Sequence, residues 1–129
     1  MFTDLNVFQL AHSMATHAGR RQAVVSRNIA NADTPGYQAR DIEAFETAFK
    51  NGQSNFAMTG TRERHLGARS ATQRLWSEHT PDAPSDPNGN SVVVEEEMFK
   101  AVEIKRQHDR ALAIYRSSLN VLRIGLGRS

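Results

Sequence analysis

The strongest constraint on this chain is that both ends carry a helical repeat of apolar residues while the middle carries none. Near the N-terminus, alternating steps of three and four from Phe8 reach Ala11, Ala15, Ala18, Gln22, Val25, Ile29 and Ala32. Leu10, Met14 and Val24 widen one flank of this stripe, and only Gln22 interrupts it. Such spacing keeps side chains on one side of a helix. It predicts a helix over residues 5–31, about 40 Å long at 1.5 Å per residue. Alanine dominates the stripe, so a second helix can approach closely. Near the C-terminus the same steps from Met98 reach Ala101, Lys105, His108, Leu112, Tyr115, Leu119, Leu122 and Leu126, with Val102, Ile104, Ala111 and Ile114 broadening the face. Here a helix is expected from Glu95, with Glu95, Glu96 and Glu97 at the positive end of its dipole and arginines near the negative end. Val92-Val93-Val94 reads as an extended lead-in.

The first helix meets a hard stop. Pro35 cannot continue a helix and pushes Thr34 toward extended geometry. Pro35-Gly36 suits the centre of a type II turn, which needs φ > 0 at its second central residue. Asn28 or Asn31 is the expected C-terminal cap, since asparagine tolerates the left-handed region. Asp41 then caps a short amphipathic helix carrying Ile42, Phe45 and Phe49 on one face.

Between Asn51 and Asn90 no helical or strand period persists, and three of the four prolines, Pro81, Pro84 and Pro87, lie close together. The chain therefore divides into a helix at 1–31, a turn and short helix at 32–50, an irregular middle at 51–91 and a second long helix at 92–129. The fold class is all-α: two long terminal helices packed as a coiled-coil pair, with a loop-rich middle. Neither narrow stripe can bury itself alone. Pairing them leaves Leu10, Met14, Ile104 and Ile114 pointing elsewhere, so other subunits are expected to complete the core. One face meeting a different face on the next copy generates rings or helical tubes.

Asn28-Ile29-Ala30-Asn31-Ala32-Asp33-Thr34-Pro35-Gly36-Tyr37, at the end of an N-terminal helix, closely resembles the signature of flagellar rod, hook and hook-associated axial proteins. With Ala39-Arg40-Asp41-Ile42 following, the segment is similar to the proximal-rod members. Thr61 through His65-Leu66 and the run Asn88-Gly89-Asn90-Ser91-Val92, followed by Glu97-Met98, resemble further segments of that family. The resemblance spans essentially the whole chain, whose 129 residues leave no room for the larger central insertions of other axial proteins. It implies a structural subunit of the flagellar basal body, exported without a cleaved signal peptide and located in the rod within the periplasmic space. The implied partners are other rod subunits, the rod adaptor protein FliE, and the membrane ring and export gate. In that picture Asn28, Ile29, Ala30, Asn31, Thr34, Pro35, Gly36 and Tyr37 shape the subunit bend. Phe8, Ala15, Ala18, Val25, Met98, Leu112, Tyr115, Leu119 and Leu122 pack the terminal helices of neighbouring subunits.

Other chemistries find little support. There are no cysteines, which removes disulfides and thiol catalysis. His12, His17, His65, His79 and His108 show no metal-binding spacing, and no nucleophile elbow or Gly-rich phosphate loop occurs. An EF-hand is nearly drawn by Asp86, Asn88, Asn90, Val93 and Glu97, but Ser91 holds the place its glycine requires and Pro87 follows the first ligand. A polar turn leading into a helix is expected there. No cofactor, metal or catalytic residue is assigned. The net charge of +2 is mild; arginines cluster at 62–74 and 110–128. A nucleic-acid-binding helical dimer using the second cluster lacks interleaved aromatics and a reading helix. No apolar run reaches the length of a membrane span, and no basic start followed by a greasy core marks a cleaved signal.

Overall fold

The computed structural model describes residues 2–54 and 76–127. In chain order the elements are α1 (Phe2–Ala30), β1 (Asp41–Ile42), α2 (Phe45–Ser54), β2 (Glu78–His79) and α3 (Val94–Gly125). The segment resembling the family's threonine-to-histidine stretch and the 62–74 arginine cluster lie outside the described residues. Helices α1 and α3 run side by side, antiparallel: Asn28 meets Glu97, His17 meets Gln107, and Phe8 meets Tyr115. The expected architecture, a long helix at each end packed against the other, is the architecture found.

On α1 the seam takes in Ala11, Ala18 and Val25 of the stepped stripe, whereas on α3 its buried residues lie off that stripe. The seam's buried members are Ala11, Met14, His17, Ala18, Val24, Val25 and Asn28 on α1, with Glu97, Ile104 and Ala111 on α3. Met14 and Ile104 were expected to point elsewhere, yet both are interior, and Ala18, Val25 and Ile104 form the centre of the core with Ala101 against it. The reason is size and polarity. Alanines let the backbones approach, while His17, Asn28, Glu97 and Gln107 enter the seam because they satisfy one another. The bulky residues of α3, including Met98, Leu112, Tyr115 and Leu119, remain on the surface.

Two further local expectations are corrected. Asp41 does not cap α2. It sits in β1, which pairs antiparallel with β2 (Asp41 with His79, Ile42 with Glu78), and its carboxylate accepts from Arg21. A two-residue pairing leaves no period in the sequence. Asn31 does not enter the left-handed region, since no described residue other than glycine has positive φ. It ends α1 by another route: its backbone N–H and its side-chain Nδ2 both donate to the carbonyl of Arg27, at 3.1 and 2.8 Å. Helix α3 starts one residue before the expected Glu95, at Val94, after the extended Val93.

Candidate functional site

Two features of the described molecule are candidates for function: a dense polar clasp at one end and exposed apolar side chains along α3. The clasp is built by the bend after α1 and the turn before α3. Gly36 takes φ +76°, as a type II turn demands, and the amide of Tyr37 donates back to the carbonyl of Thr34 at 3.3 Å. The opposing turn carries Gly89 at φ +83°. The two turns press together so closely that a Cβ on Gly89 would lie 3.3 Å from the Cα of Gly36. Backbone bonds lock them: Gly36 N–H donates to the Asn88 carbonyl at 2.9 Å and Ser91 N–H to the Tyr37 carbonyl at 3.1 Å.

Three buried polar side chains finish the clasp. Asn90 places Nδ2 at 2.9, 2.9 and 2.8 Å from the carbonyl oxygens of Asn31, Ala32 and Thr34, while its Oδ1 accepts from the amide of Val92. Two hydrogens serve three acceptors, so one is shared. This side chain takes up the carbonyls that the end of a helix leaves without partners. Asn28, 0% exposed, uses its full capacity: Nδ2 donates to the Arg40 carbonyl and to Glu97 Oε2, and Oδ1 accepts from Tyr37 Oη and the Arg40 amide. Ser91 Oγ accepts from the amide of Ala39 at 2.7 Å.

A charged chain continues from Asn28 into the helix pair. Glu97 Oε1 accepts from Lys100, which lies 3.8 Å from Asp41; Asp41 in turn forms a bidentate pair with Arg21 at 2.9 and 3.1 Å. Burial pushes the Asp41 carboxyl up, but the hydrogen bonds and charge of Arg21, the Ile42 amide and Lys100 together outweigh it and hold it below its ordinary value. The Asp41 hydrogen bond likewise raises the Arg21 guanidinium, with burial opposing. On the rim, Arg27 forks onto Glu78 at 3.0 and 3.2 Å and holds that carboxyl down. Such an exposed pair adds little stability.

His17 anchors the other side of the pair. It is 0% exposed, with Nε2 2.7 Å from the Glu43 carbonyl and Nδ1 3.1 Å from Gln107 Nε2. A carbonyl only accepts and an amide nitrogen only donates, so the ring is the neutral tautomer protonated on Nε2. Its edges meet the rings of Phe45 and Trp76. Burial lowers its pKa; the hydrogen bond to the Glu43 carbonyl opposes this, the nearby Arg21 charge lowers it further, and Asp41 raises it slightly, leaving it below its ordinary value.

The residues named from sequence fall into two groups. Asn28, Asn31, Thr34, Gly36 and Tyr37 are joined in the clasp, with Thr34 Oγ1 donating to Asn31 Oδ1. Ile29, Ala30 and Pro35 belong to the same bend but face outward. Of the helix positions, Ala18 and Val25 are in the seam, Phe8, Ala15 and Leu122 are half-buried, and Met98, Leu112, Tyr115 and Leu119 are exposed. Asn90, Ser91, Glu97 and His17 were not singled out as site residues. The signal for Glu97 was present in its spacing of four and seven to Ala101 and Ile104, which puts it on the buried face rather than with the dipole. The turn from Asp86 to Asn90 closes on itself, Gly89 N–H to Asp86 O and Asp86 N–H to Asn90 O, and Glu97 is engaged elsewhere. Among the described residues no group of three or more His, Cys, Asp or Glu side chains is placed to hold a metal ion.

The residues that build this clasped helix pair match a known protein family in sequence. The family model described as flagella basal body rod protein matches residues 11–38, from the middle of α1 through the bend. That stretch defines the class: flagellar basal-body rod proteins. The chain is 34% identical over 116 residues to the flagellar basal body rod protein FlgB of Agrobacterium fabrum, covering 88% of this chain and 87% of the relative. It is 34% identical over 119 residues to FlgB of Escherichia coli (82% and 85% covered) and 33% identical over 105 residues to FlgB of Aeromonas hydrophila (80% and 79% covered). The chain belongs to the FlgB family of flagellar basal-body rod proteins. It is a structural rod subunit of the flagellum and assembles with other basal-body components.

Proposed function

We propose that this rod subunit stands in the proximal rod and polymerises through the outer face of its terminal helices, with the clasp fixing the angle between them. One observation carries the reading. Met98, Val102, Leu112 and Leu119 leave an exposed apolar strip on α3, Leu112 and Leu119 each being 38% exposed, beside Tyr115, whose ring meets Phe8 of α1. Next to the strip a groove of about 530 Å³ opens along the seam, lined by Ala18, Gly19, Gln22, Ala101, Val102, Ile104, Lys105 and His108. Large exposed apolar patches mark interaction surfaces, and a second helix fits such a flank by ordinary ridge-and-groove packing.

The clasp supports the same reading. A polymer built from unlike faces needs a fixed subunit shape, and a fully satisfied polar network fixes shape more tightly than the thin core between α1 and α3. The neighbours in this reading are other rod subunits, the adaptor protein FliE, and the membrane ring and export gate. The subunit lies in the periplasmic space, is exported without a cleaved signal and has no catalytic role. Among the described residues no helix is long and apolar enough to cross a membrane.

Leu112→Asp or Leu119→Asp tests the placement of the seam between subunits. Each side chain is partly exposed in the free chain, so the variant keeps its helix content. In the rod each puts a charge into a dry contact, at a cost of several kcal/mol. Motility and rod incorporation are expected to be lost. Normal rods containing either variant would refute the proposal.

A further inference from the structure

The turn that closes the clasp carries a reactive peptide step. Asn88-Gly89 is one of two Asn–Gly steps in the chain, the other being Asn51-Gly52. At such a step the backbone nitrogen of the glycine can attack the side-chain amide carbon of the asparagine, because glycine has no Cβ to obstruct it. A bond forms between that nitrogen and Cγ, closing a cyclic imide. The Cγ–Nδ2 bond breaks, and Nδ2 leaves as ammonia with the proton of the glycine amide. Water then opens the imide at either carbonyl. One opening gives aspartate, and the other gives isoaspartate, whose main chain runs through the former side chain. No oxidation state changes, and water is the only co-reactant.

The closed clasp holds this step in a geometry that resists the reaction. Asp86, Pro87, Asn88 and Gly89 form a β-turn in which Gly89 N–H donates to the Asp86 carbonyl at 2.8 Å. Neither Pro87 nor Asn88 has positive φ. That is the pattern of a type I turn, which keeps ψ of its second central residue near about 0°. At that angle the Gly89 nitrogen points away from the Asn88 side chain, so ring closure needs a large rotation about the Asn88 Cα–C bond. Two further bonds oppose the rotation: the Asn88 carbonyl accepts from Gly36 N–H at 2.9 Å, and Asn88 Oδ1 accepts from the Asn90 amide at 3.1 Å. Asn88 is exposed, so its protection comes from this geometry and not from burial. We propose that Asn88 is a self-modification site gated by the clasp, silent while the two turns interlock and converted to aspartate and isoaspartate in chains whose clasp stays open. The two products differ in effect. Aspartate keeps an acceptor for the Asn90 amide and leaves the main chain as it was. Isoaspartate inserts a methylene ahead of the carbonyl that Gly36 binds, where a Cβ on Gly89 would already lie 3.3 Å from the Gly36 Cα. A chain left open too long is thereby marked and withdrawn from the clasped shape. The site depends on the clasp alone and not on which face of α3 meets a neighbour.

The test incubates the full-length chain at mildly alkaline pH, in native buffer and in urea, and follows conversion at position 88 by peptide mapping with mass spectrometry. Synthetic peptides carrying aspartate or isoaspartate at that position identify the products. Asn51-Gly52 lies in α2, outside the clasp, and serves as the internal reference. In urea the two steps are expected to react at similar rates. In native buffer Asn88 is expected to react at least about tenfold more slowly than in urea, because a site that reacts only from the open form follows the open population. Asn90→Ala removes the side chain that binds Asn31, Ala32 and Thr34. It is expected to raise the Asn88 rate in native buffer about tenfold, toward its value in urea, and to leave Asn51 unchanged. Gly36→Ala is a milder opening, with an expected rise of about fivefold, and it carries the test if Asn90→Ala does not fold by helical circular dichroism. Chains bearing isoaspartate at position 88, separated by chromatography, are expected to melt at a clearly lower temperature, whereas Asn88→Asp melts near the parent. Equal Asn88 rates in native buffer and urea would overturn the proposal. So would a rate indifferent to Gly36→Ala and Asn90→Ala in folded chains, or an isoaspartate-bearing chain that melts like the parent.

Discussion

Replacing Asn90 tests the clasp most sharply, because one side chain there serves four backbone groups. Its Nδ2 supplies two hydrogens to the carbonyls of Asn31, Ala32 and Thr34, and its Oδ1 accepts one from Val92. Three hydrogen bonds at a net ~1 kcal/mol each put the loss for Asn90→Ala at about 3 kcal/mol. Small domains are typically stable by only about 5–15 kcal/mol, so this is a large share. Asn90→Asp has nearly the same shape and keeps the bond to Val92. It nevertheless turns a carboxylate oxygen toward three carbonyl oxygens at under 3 Å, a buried charge facing negative dipole ends. Asp is therefore expected to be worse than Ala at pH 7, and the gap should close as pH falls and the carboxyl gains a proton able to donate. Urea unfolding followed by helical circular dichroism, at pH 7 and pH 4.5, measures both variants against the parent chain. An Asn90→Ala loss below about 0.5 kcal/mol, or Asn90→Asp milder than Ala at pH 7, would refute the account of the clasp as a saturated network.

Two more outcomes follow from the same geometry. Gly36 and Gly89 both have positive φ, but only Gly89 has a backbone atom in the way of a Cβ. Gly36→Ala should cost about 1 kcal/mol from the left-handed backbone alone, and Gly89→Ala clearly more; equal losses in thermal unfolding would contradict the close approach of the turns. His17 gives a pH dependence of definite sign. Its folded pKa is lowered, so above the unfolded value of about 6.5 the stability is fully present. As pH falls below that value the unfolded chain takes up the proton first, and stability drops by at most ~1.4 kcal/mol per pH unit until the lowered folded pKa is reached. His17→Gln can still donate to Glu43 and accept from Gln107, and it should flatten the slope between pH 6.5 and 5; an unchanged slope would exclude His17 as its source.

The large architecture was legible because it rests on residues whose spacing speaks for itself. Phe8, Ala11, Ala18 and Val25 at one end, and Ala101, Leu112 and Leu119 at the other, can only be helical, and Pro35-Gly36 can only be a turn. The clasp was half legible. The two loop signatures were visible, but nothing local to Asn90 shows that its amide reaches back to Asn31, Ala32 and Thr34, some 56 to 59 residues away. The flank of α3 that meets α1 was misplaced because apolar spacing assumes that the greasiest side faces inward. Here Glu97 and Gln107 face inward, satisfied by Asn28 and His17, and the greasy side faces out. A helix that serves two contacts at once carries two superposed stripes, and a sequence does not say which belongs to the chain's own partner. The β1–β2 pairing, two residues on each side, is too short to leave any period.

The most direct test of the account asks whether the outer side of α3 becomes covered when the rod forms. In an otherwise cysteine-free chain, Leu119→Cys places a thiol on that side. The account predicts rapid maleimide labelling of the free subunit, protection in isolated basal bodies, and labelling again once the rod is dissociated. Equal labelling of the free and assembled subunit would show that this face stays in water, and the assembly surface assigned to α3 would be wrong.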